Sequence, residues 1–240
     1  VGHAGTLWLQ LVSIFPPTYH NRPHGFRIDL MEKLAAMHPQ FLRFPGGNYV
    51  EGNTIAQRFD WKKTIGPLVD RPGHESPWGY WSTDDMGLLE FLNWCEDLKM
   101  QPVLAVYAGY SLHGQHVNPG ADLQPYVQDA LDEIEYVFGS TNTKWGAERA
   151  KDGHPAPFKL TYVEIGNEEW FDRSGSYDQR YAQFANAIRQ KYPYLKIIAT
   201  APVKDPKPDG IEEHYYIRAT EHFKTAYHYD TSREKSAAPI

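Results

Sequence analysis

Two adjacent carboxyl groups, Glu168 and Glu169, follow an apolar stretch in the segment TYVEIGNEEWFD (161–172). A carboxyl group at the end of a buried strand and beside Trp170 loses contact with water, which raises its pKa and keeps it protonated. A general acid needs that property, and the preceding Asn167 can hydrogen-bond a substrate hydroxyl. The pattern predicts that Glu168 is a general acid. The alternative is a solvated loop glutamate that caps the next helix.

A second group of polar residues follows another apolar stretch, in LRFPGGN (42–48). Arg43 offers a planar fork of donors that suits carboxylates, and the alternative for it is a structural salt bridge at the rim of the fold. The glycines Gly46 and Gly47 allow the backbone to turn sharply so that Asn48 enters a pocket. The alternative for them is a plain tight turn.

His214 and Tyr216 stand two residues apart in IEEHYY (211–216), which reads as a short strand. Residues two apart on a strand point to the same side, so both are predicted to face the site. The alternative is an aromatic pair in the core. Glu51, in NYVEGN, is interpreted as structural.

Alternating strands and helices position these residues. Apolar runs predict strands at 40–44, 101–109, 158–166, 195–202 and 211–216. Helical spacing of apolar residues predicts helices at 28–37, 84–99, 125–139 and 177–192, and a weaker one near 219–228. Asp84 and Asp85 are predicted to lie in the first turn of their helix. Such alternation predicts an α/β fold with parallel strands and helical crossovers.

Two α/β architectures compete, a doubly wound sheet and a (β/α)₈ TIM barrel. The nucleotide-binding version of the doubly wound sheet is less favoured because the sequence contains neither GxGxxG nor a Walker loop. In a barrel the chemistry lies at the carboxyl ends of the strands, where Arg43, Asn167, Glu168 and His214 stand. The placement of these residues favours the barrel.

Charge and composition exclude several kinds of partner. The net charge is −6, with 24 basic and 30 acidic residues, and the cationic cluster that nucleic-acid binding needs is missing from the sequence. An apolar run long enough to cross a membrane is likewise missing. The one cysteine, Cys95, reads as a packing residue of a helix. Without HExxH or clustered Cys and His, the sequence predicts neither a metal nor an organic cofactor.

Aromatic residues are abundant, at 14% of the chain with 16 Tyr and 7 Trp. Sugar-binding clefts use the faces of Trp and Tyr, although a large core that simply uses aromatics is an equal explanation. Trp61 and Trp81, in the loop-rich segment 45–83, are predicted as sugar platforms. The alternative is that they pin the loop to the fold.

Four separated motifs together resemble one enzyme family. They are LRFPGGN (42–48), TIGPLVDRPGH (64–74), YVEIGNEEW (162–170) and EEHYY (212–216), with VSIFPP (12–17) near the start. In this order they resemble glycoside hydrolase family 51, the α-L-arabinofuranosidases. The resemblance runs from about Leu7 to Ile240 and implies a retaining glycosidase on a (β/α)₈ barrel.

The resemblance also implies roles for individual residues. Glu168 would be the acid/base at the end of the fourth barrel strand, and Asn167 would hydrogen-bond the 2-hydroxyl of the sugar. Arg43 would orient carboxylates and Asn48 would bind the arabinose. Tyr216 would contact the nucleophile or the sugar ring.

Retention also needs a second carboxyl group as the nucleophile. In the family this glutamate ends the seventh strand, some tens of residues after HYY, whereas the predicted start of that strand is AAPI (237–240). The sequence offers no convincing substitute for this nucleophile among the other glutamates considered, which are Glu164, Glu169, Glu212 and Glu213. We therefore expect residues 1–240 to be an incomplete barrel of roughly strands two to six with the start of the seventh. The first strand, the last strands and the C-terminal β-sandwich are expected to be absent.

The predicted function is the removal of α-L-arabinofuranosyl side chains from plant polysaccharides, by a fragment that is inactive alone. Its expected partners are an arabinose-containing oligo- or polysaccharide and the remainder of the same enzyme, supplied as another chain or segment. Edge-to-edge homo-oligomers are also expected because a partial barrel leaves strand edges bare. A non-catalytic sugar-binding module and another barrel glycosidase remain open as alternatives. An extracellular or periplasmic location is slightly favoured.

Overall fold

A parallel sheet of five strands is the centre of the protein in this computed structural model, which describes residues 2–8, 12 and 14–228. The strands are β1 (Phe41–Phe44), β2 (His74–Glu75), β3 (Trp81–Ser82), β4 (Gln101–Val106), β5 (Tyr162–Ile165), β6 (Lys196–Ala199) and β7 (Gly210–Ile211). The main sheet has the order β1-β4-β5-β6-β7, and β2 and β3 form a separate antiparallel hairpin. The strand order follows the chain without the reversal of a doubly wound sheet, and the sheet is open.

Helices lie between the strands of the main sheet, and one more stands at each end of this series. They are α1 (Ile28–Ala36), α2 (Asn48–Glu51), α3 (Leu88–Leu98), α4 (Gln124–Phe138), α5 (Lys144–Lys151), α6 (Tyr177–Lys191) and α7 (Ala219–Lys224). Short 3₁₀ turns lie at 19–21, 55–57, 61–63, 68–70 and 169–171. Among the described residues, none of the helices is long and apolar enough to cross a membrane.

The core forms where the sheet meets α3, α4 and α6. Strand β4 is buried at every position from 102 to 106, as expected for a strand that is covered on both faces. Leu92, Leu104, Ile134 and Phe184 are completely buried in this layer. Burial of such a side chain contributes about 1.5–3 kcal/mol, so this layer fixes the positions of the strand ends that carry the polar residues.

Most predicted elements are confirmed to within a few residues, and α3 is an exception at its start. The prediction that Asp84 and Asp85 begin this helix is wrong, because Asp84 has a left-handed backbone (φ 57°). The helix begins at Leu88, where the Glu90 carboxylate accepts a hydrogen bond from the backbone N–H of Gly87 at 2.9 Å. A side-chain cap therefore decides the boundary.

The strand predicted over 211–216 is much shorter than expected. Regular pairing stops at Ile211, so the argument that His214 and Tyr216 share one side of a strand is wrong. Among the described residues β7 pairs with β6 alone, and residues 212–217 follow it without regular structure. The sequence reasoning also missed α2, α5 and the β2–β3 hairpin. The strand start predicted at 237–240 lies outside the described residues.

Candidate active site

Arg43 connects three strand ends at the carboxyl edge of the sheet. From β1 its guanidinium reaches across β4, and its Nη2 lies 2.6 Å from an oxygen of Glu164 on β5. The same Nη2 donates to Oδ1 of Asn167 at 2.8 Å, and Nε lies 2.7 Å from Glu212 after β7. Burial raises the pKa of Glu164, while the charge of Arg43 opposes that rise. The planar fork therefore holds two carboxylates and one amide in fixed positions.

Glu168 lies beside this cluster in an unusual backbone conformation. Its φ and ψ are 43° and 41°, the left-handed region that costs a non-glycine residue roughly 1–2 kcal/mol. The residue is 5% exposed, and its Oε1 lies 2.9 Å from Nδ1 of His214. Residues held in such conformations cluster at functional sites. The backbone conformation therefore indicates the same glutamate that the sequence pattern predicts.

His214 joins Glu168 to Glu212. Its second ring nitrogen, Nε2, lies 3.0 Å from Oε1 of Glu212. The ring meets Trp170 edge to face at 5.5 Å between centroids and Tyr216 at 6.2 Å. Burial alone would lower the pKa of His214, but the hydrogen bonds to Glu212 and Glu168 outweigh burial and raise it. The two contacts therefore stabilise the charged form of the imidazole relative to its neutral form.

Tyr216 is the most exposed of the predicted site residues, at 83%. A hydrogen bond with Glu168 raises the pKa of its phenol. The structure thus brings His214 and Tyr216 together around Glu168, although without the strand that the sequence predicted.

Two amides complete the polar cluster through a residue that the sequence reasoning set aside. The Nδ2 atoms of Asn48 and Asn167 both donate to Oε2 of Glu51, each at 2.9 Å. Burial raises the pKa of Glu51 to about 8. Asn48 and Glu51 lie three apart on the single turn of α2, which places them on one face. That spacing is the sequence signal that would have found Glu51.

Glu169 points away from the cluster that contains Glu168. Its Oε2 lies 2.8 Å from Nη2 of Arg180, which also contacts Asp172 at 2.6 Å and donates to the carbonyl oxygen of Ala108. Gly166 (φ 86°) makes room for this pair, because a Cβ there would lie 2.4 Å from Oε1 of Glu169. The two neighbouring glutamates therefore have different surroundings and different partners.

The prediction that Trp61 is a sugar platform is wrong. Its side chain is 1% exposed and packs against Tyr136 and Trp145, with ring centroids 5.6 and 4.8 Å away. Its indole N–H donates to the carbonyl oxygen of Asp129. Trp61 is a core residue and has no face free for a ligand.

Trp81 lies in a very different place, on the β2–β3 hairpin. It is 64% exposed, and the neighbouring Trp78 and Tyr80 are also exposed. Tyr49, next to Asn48 on α2, stacks on Trp78 and donates a hydrogen bond to Asp84 at 2.9 Å. The hairpin with its aromatic side chains is therefore attached to the helix that carries Asn48.

The arrangement suits proton transfer at one carboxyl group and hydrogen bonding to a polar ligand. Glu168 has an oxygen, Oε2, that is not used by His214, and Asn48 and Asn167 lie nearby. Within the part of the chain that the structure describes, no group of three or more His, Cys, Asp or Glu is placed to hold a metal ion.

Comparisons with known proteins give one consistent result. A family model described as the Alpha-L-arabinofuranosidase 1 domain matches residues 33–234. The chain is 43% identical over 218 residues to a probable alpha-L-arabinofuranosidase A of Aspergillus oryzae, a match that covers 87% of this chain and 35% of the relative. It is 39% identical over 234 residues to alpha-L-arabinofuranosidase 2 of Arabidopsis thaliana, a match that covers 95% of this chain and 34% of the relative. The chain thus spans about a third of the length of these curated relatives.

Solved structures agree with the sequence matches. The arabinose-bound α-L-arabinofuranosidase MgGH51 has a TM-score of 0.88 and 44% identity, covering 93% of this chain and 36% of that one. The α-L-arabinofuranosidase of Thermotoga maritima, in an arabinose complex, has a TM-score of 0.61 and 26% identity. This match covers 78% of this chain and 35% of that one.

Proposed function

The chain belongs to glycoside hydrolase family 51, the family of the α-L-arabinofuranosidases, and from this membership we propose that it carries the acid/base of a retaining arabinofuranosidase. The observation that carries the proposal is Glu168, a buried strand-end carboxyl group whose Oε1 lies 2.9 Å from His214. That contact engages Oε1, and Tyr216 also hydrogen-bonds the carboxyl group.

The proposed reaction has two steps at the anomeric carbon of the arabinosyl group. In the first, Glu168 gives its proton to the glycosidic oxygen as the bond to the anomeric carbon breaks, and a second carboxylate forms a covalent bond there. In the second, Glu168 takes a proton from water, whose oxygen displaces that carboxylate and restores it. Each cycle therefore protonates and deprotonates Glu168 once.

His214 supports this proton cycling in the proposal. Its raised pKa favours the imidazolium form, which stabilises the Glu168 carboxylate left after the first step. Glu212 binds the other ring nitrogen at 3.0 Å and fixes the orientation of the ring. The ring therefore holds Oε1 of Glu168 in place while Oε2 exchanges the proton.

We assign the nucleophile to a part of the enzyme beyond the described residues. Retention needs the two carboxyl groups about 5–5.5 Å apart, with the second one free to attack. Glu164 and Glu212 are ion-paired with Arg43, Glu169 is ion-paired with Arg180, and Glu51 is buried and accepts hydrogen bonds from two amides. Each of these carboxyl groups therefore already has fixed partners within the described residues.

In the same proposal, the open five-stranded sheet is the part of a (β/α)₈ barrel from the second to the sixth strand. The remaining strands and the nucleophile would come from the remainder of the enzyme, as another segment or chain. Two observations support this arrangement. The strands of the main sheet follow one another in chain order without reversal, and the chain is similar to the arabinose-bound MgGH51.

The proposed substrate is an α-L-arabinofuranosyl side chain of a plant polysaccharide. Asn48 and Tyr216 line the edge beside Glu168 and offer hydrogen bonds to the hydroxyls of the sugar. The Asn167 side chain is buried beside them, and it would reach the 2-hydroxyl through the N–H that Glu51 does not use. Trp81, on the exposed hairpin, would offer a surface for the rest of the polymer.

A leaving-group series on the full-length enzyme tests the acid role. Glu168→Gln is expected to reduce kcat/KM by roughly 10²–10⁴-fold on an arabinofuranosyl sugar, because that leaving oxygen needs a proton. The loss should be much smaller on an aryl arabinofuranoside whose phenolate leaves unaided. Glu32→Gln, an exposed glutamate on α1, is the matched control.

Equal losses on both substrates, or unchanged turnover, would refute the acid role of Glu168. The 240-residue chain alone should bind arabinose without turnover. Turnover by that chain would contradict the assignment of the nucleophile to another part of the enzyme, and binding without turnover in the full-length protein would favour a sugar-binding module.

A further inference from the structure

Glu51 is a buried carboxyl group that is not paired with a cation in the described part of the chain. It ends α2 and is 1% exposed. Its Oε2 accepts hydrogen bonds from the side-chain amides of Asn48 and Asn167, each at 2.9 Å. Its Oε1 is buried and has no hydrogen-bond partner among the described residues. A carboxyl group in this position connects the two amides that the proposed reaction assigns to the sugar.

The contacts of Glu51 fix which way the Asn167 amide faces. An amide has one accepting oxygen and two donor hydrogens on its nitrogen. Oδ1 of Asn167 accepts from Arg43 at 2.8 Å, and Nδ2 donates to Glu51. Turning the amide over would put its N–H groups against the guanidinium and its oxygen against the carboxyl oxygen. Both hydrogen bonds would then be lost, so one orientation is selected.

Asn48 is held from one end only. Its Nδ2 donates to Glu51, and its Oδ1 makes no hydrogen bond within the described residues. The oxygen is therefore directed away from Glu51 and is free to accept a hydrogen bond. Without Glu51, the partly exposed Asn48 side chain would be free to rotate.

We propose that Glu51 is a positioning residue, which acts through Asn48 and Asn167 and orients their amides toward the arabinosyl group. The inference rests on the proposed function, since it concerns the same substrate. Glu51 itself does not touch the reacting atoms. Its role is to hold the Asn48 amide so that Oδ1 stays free to accept from a sugar hydroxyl, and to fix the orientation of the buried Asn167 amide beside it.

The backbone around Glu51 is held firmly enough for such a role. The hydroxyl of Ser111 donates to the carbonyl oxygen of Glu51 at 2.8 Å, and the hydroxyl of Tyr107 lies 3.0 Å from that of Ser111. The next residue, Gly52 (φ 63°), passes so close to Gln57 that a Cβ would lie 2.4 Å from its backbone. The carboxyl group is therefore anchored through its main chain.

The protonation state of Glu51 agrees with its contacts. Burial raises its pKa to about 8, the amides of Asn48 and Asn167 oppose the rise, and the carboxylates of Glu169 and Glu168 add to it. At pH 7 the group is therefore mostly neutral. A neutral bridge orients both amides without placing another negative charge beside Glu168.

Two substitutions in the full-length enzyme test the proposal. Glu51→Gln keeps a neutral group with an accepting oxygen, so kcat/KM on an aryl arabinofuranoside should stay within roughly threefold. Glu51→Leu removes the acceptor and should reduce kcat/KM by roughly 100-fold, the loss expected for a misplaced positioning group. In NMR spectra, the side-chain amide signals of Asn48 and Asn167 should shift in the leucine variant and change little in the glutamine variant.

Glu133 on α4 provides a matched control. It is also a buried acid, 4% exposed, with one oxygen that lacks a hydrogen-bond partner among the described residues. Glu133→Leu should change the melting temperature while kcat/KM stays within threefold. A loss specific to position 51 therefore separates positioning of the amides from the general effect of removing a buried acid.

Three results would overturn the role of Glu51. The first is a folded Glu51→Leu enzyme with kcat/KM within threefold of wild type, and the second is a Glu51→Gln enzyme as impaired as the leucine variant. If the leucine variant does not fold, hydrogen exchange of the Asn167 side-chain amide in the wild-type enzyme provides the third test. Rapid exchange there would contradict a fixed orientation. Failure of the wild-type enzyme to cleave arabinofuranosides would instead refute the proposed function.

Discussion

Replacing His214 with phenylalanine removes the two ring nitrogens that join Glu168 and Glu212 and preserves the ring. The aromatic contacts with Trp170 and Tyr216, at 5.5 and 6.2 Å between centroids, are kept. The substitution therefore isolates the hydrogen bonds, at 2.9 and 3.0 Å, from the packing of the ring.

The expected loss of stability follows from the two contacts. A hydrogen bond to a charged group contributes about 1.5–3 kcal/mol, and two of them set an upper range near 3–6 kcal/mol. The His214 side chain is 21% exposed, and Glu212 keeps its contact with Arg43. Solvent screening and this remaining partner reduce the expected loss in the free energy of unfolding to roughly 2–4 kcal/mol at pH 6.

The loss should depend on pH in one direction. The pKa of His214 is raised in the folded chain above its ordinary value of 6.5. Stabilisation from such a group is fully present below the unfolded pKa and disappears as the pH rises through the folded pKa. Above that pH a neutral imidazole still donates one hydrogen bond, so the difference between wild type and variant should fall to about 1 kcal/mol.

Urea unfolding of the wild-type and His214→Phe chains at pH 6, 7.5 and 9 measures this difference. His113→Gln, a substitution of an exposed histidine, is the control and should show a small difference that is independent of pH. A difference for His214→Phe that stays constant or grows as the pH rises would refute the assignment of a charged His214 between two carboxylates.

Three further predictions concern the residues around the site. Arg180→Met leaves the buried Glu169 without its cation and should cost about 3–5 kcal/mol in urea unfolding, whereas adding Glu169→Gln should restore part of that loss. Gly166→Ala should cost more than about 1 kcal/mol, since φ is 86° and the new Cβ would lie 2.4 Å from Oε1 of Glu169; an unchanged melting temperature would contradict the close approach. Trp61→Ala should cost about 3–5 kcal/mol by leaving a cavity, while the exposed Trp81→Ala should stay within about 0.5 kcal/mol. Similar melting temperatures for the two tryptophan variants would be inconsistent with their different burial.

Elements with strong local signals could be predicted from the sequence. Helix α4 has Pro125 in its first turn and Gly139 directly after its end, and it begins and ends within one residue of the prediction. Strand β4 is a continuous apolar run, and it was recognised because both of its faces are buried. Signals of this kind depend on a few neighbouring residues, so they can be read without the fold.

The failures have a different physical origin. The length of β7 is set by its pairing with β6, which ends at Ile211 and which IEEHYY does not encode. Trp61 is buried by Tyr136 and Trp145, and the helix that carries Trp145 was not predicted. The contact of Arg43 with Glu212 joins residues that are 169 positions apart. These features are decided by tertiary packing, which local patterns do not contain.

The carboxyl groups at this edge of the sheet differ chiefly in the partner that each one has. Glu164 is held by Arg43, whose guanidinium does not release its proton in proteins, so this pair stays fixed through a reaction. Glu168 is held by His214, and the ordinary pKa of an imidazole lies closer to neutral pH than that of any other cationic side chain. A group that must gain and lose a proton in every cycle needs a partner that tolerates both states, and an imidazole can do so by changing its own protonation. The proposal that Glu168 is the acid/base therefore rests on its partner as much as on its position after β5.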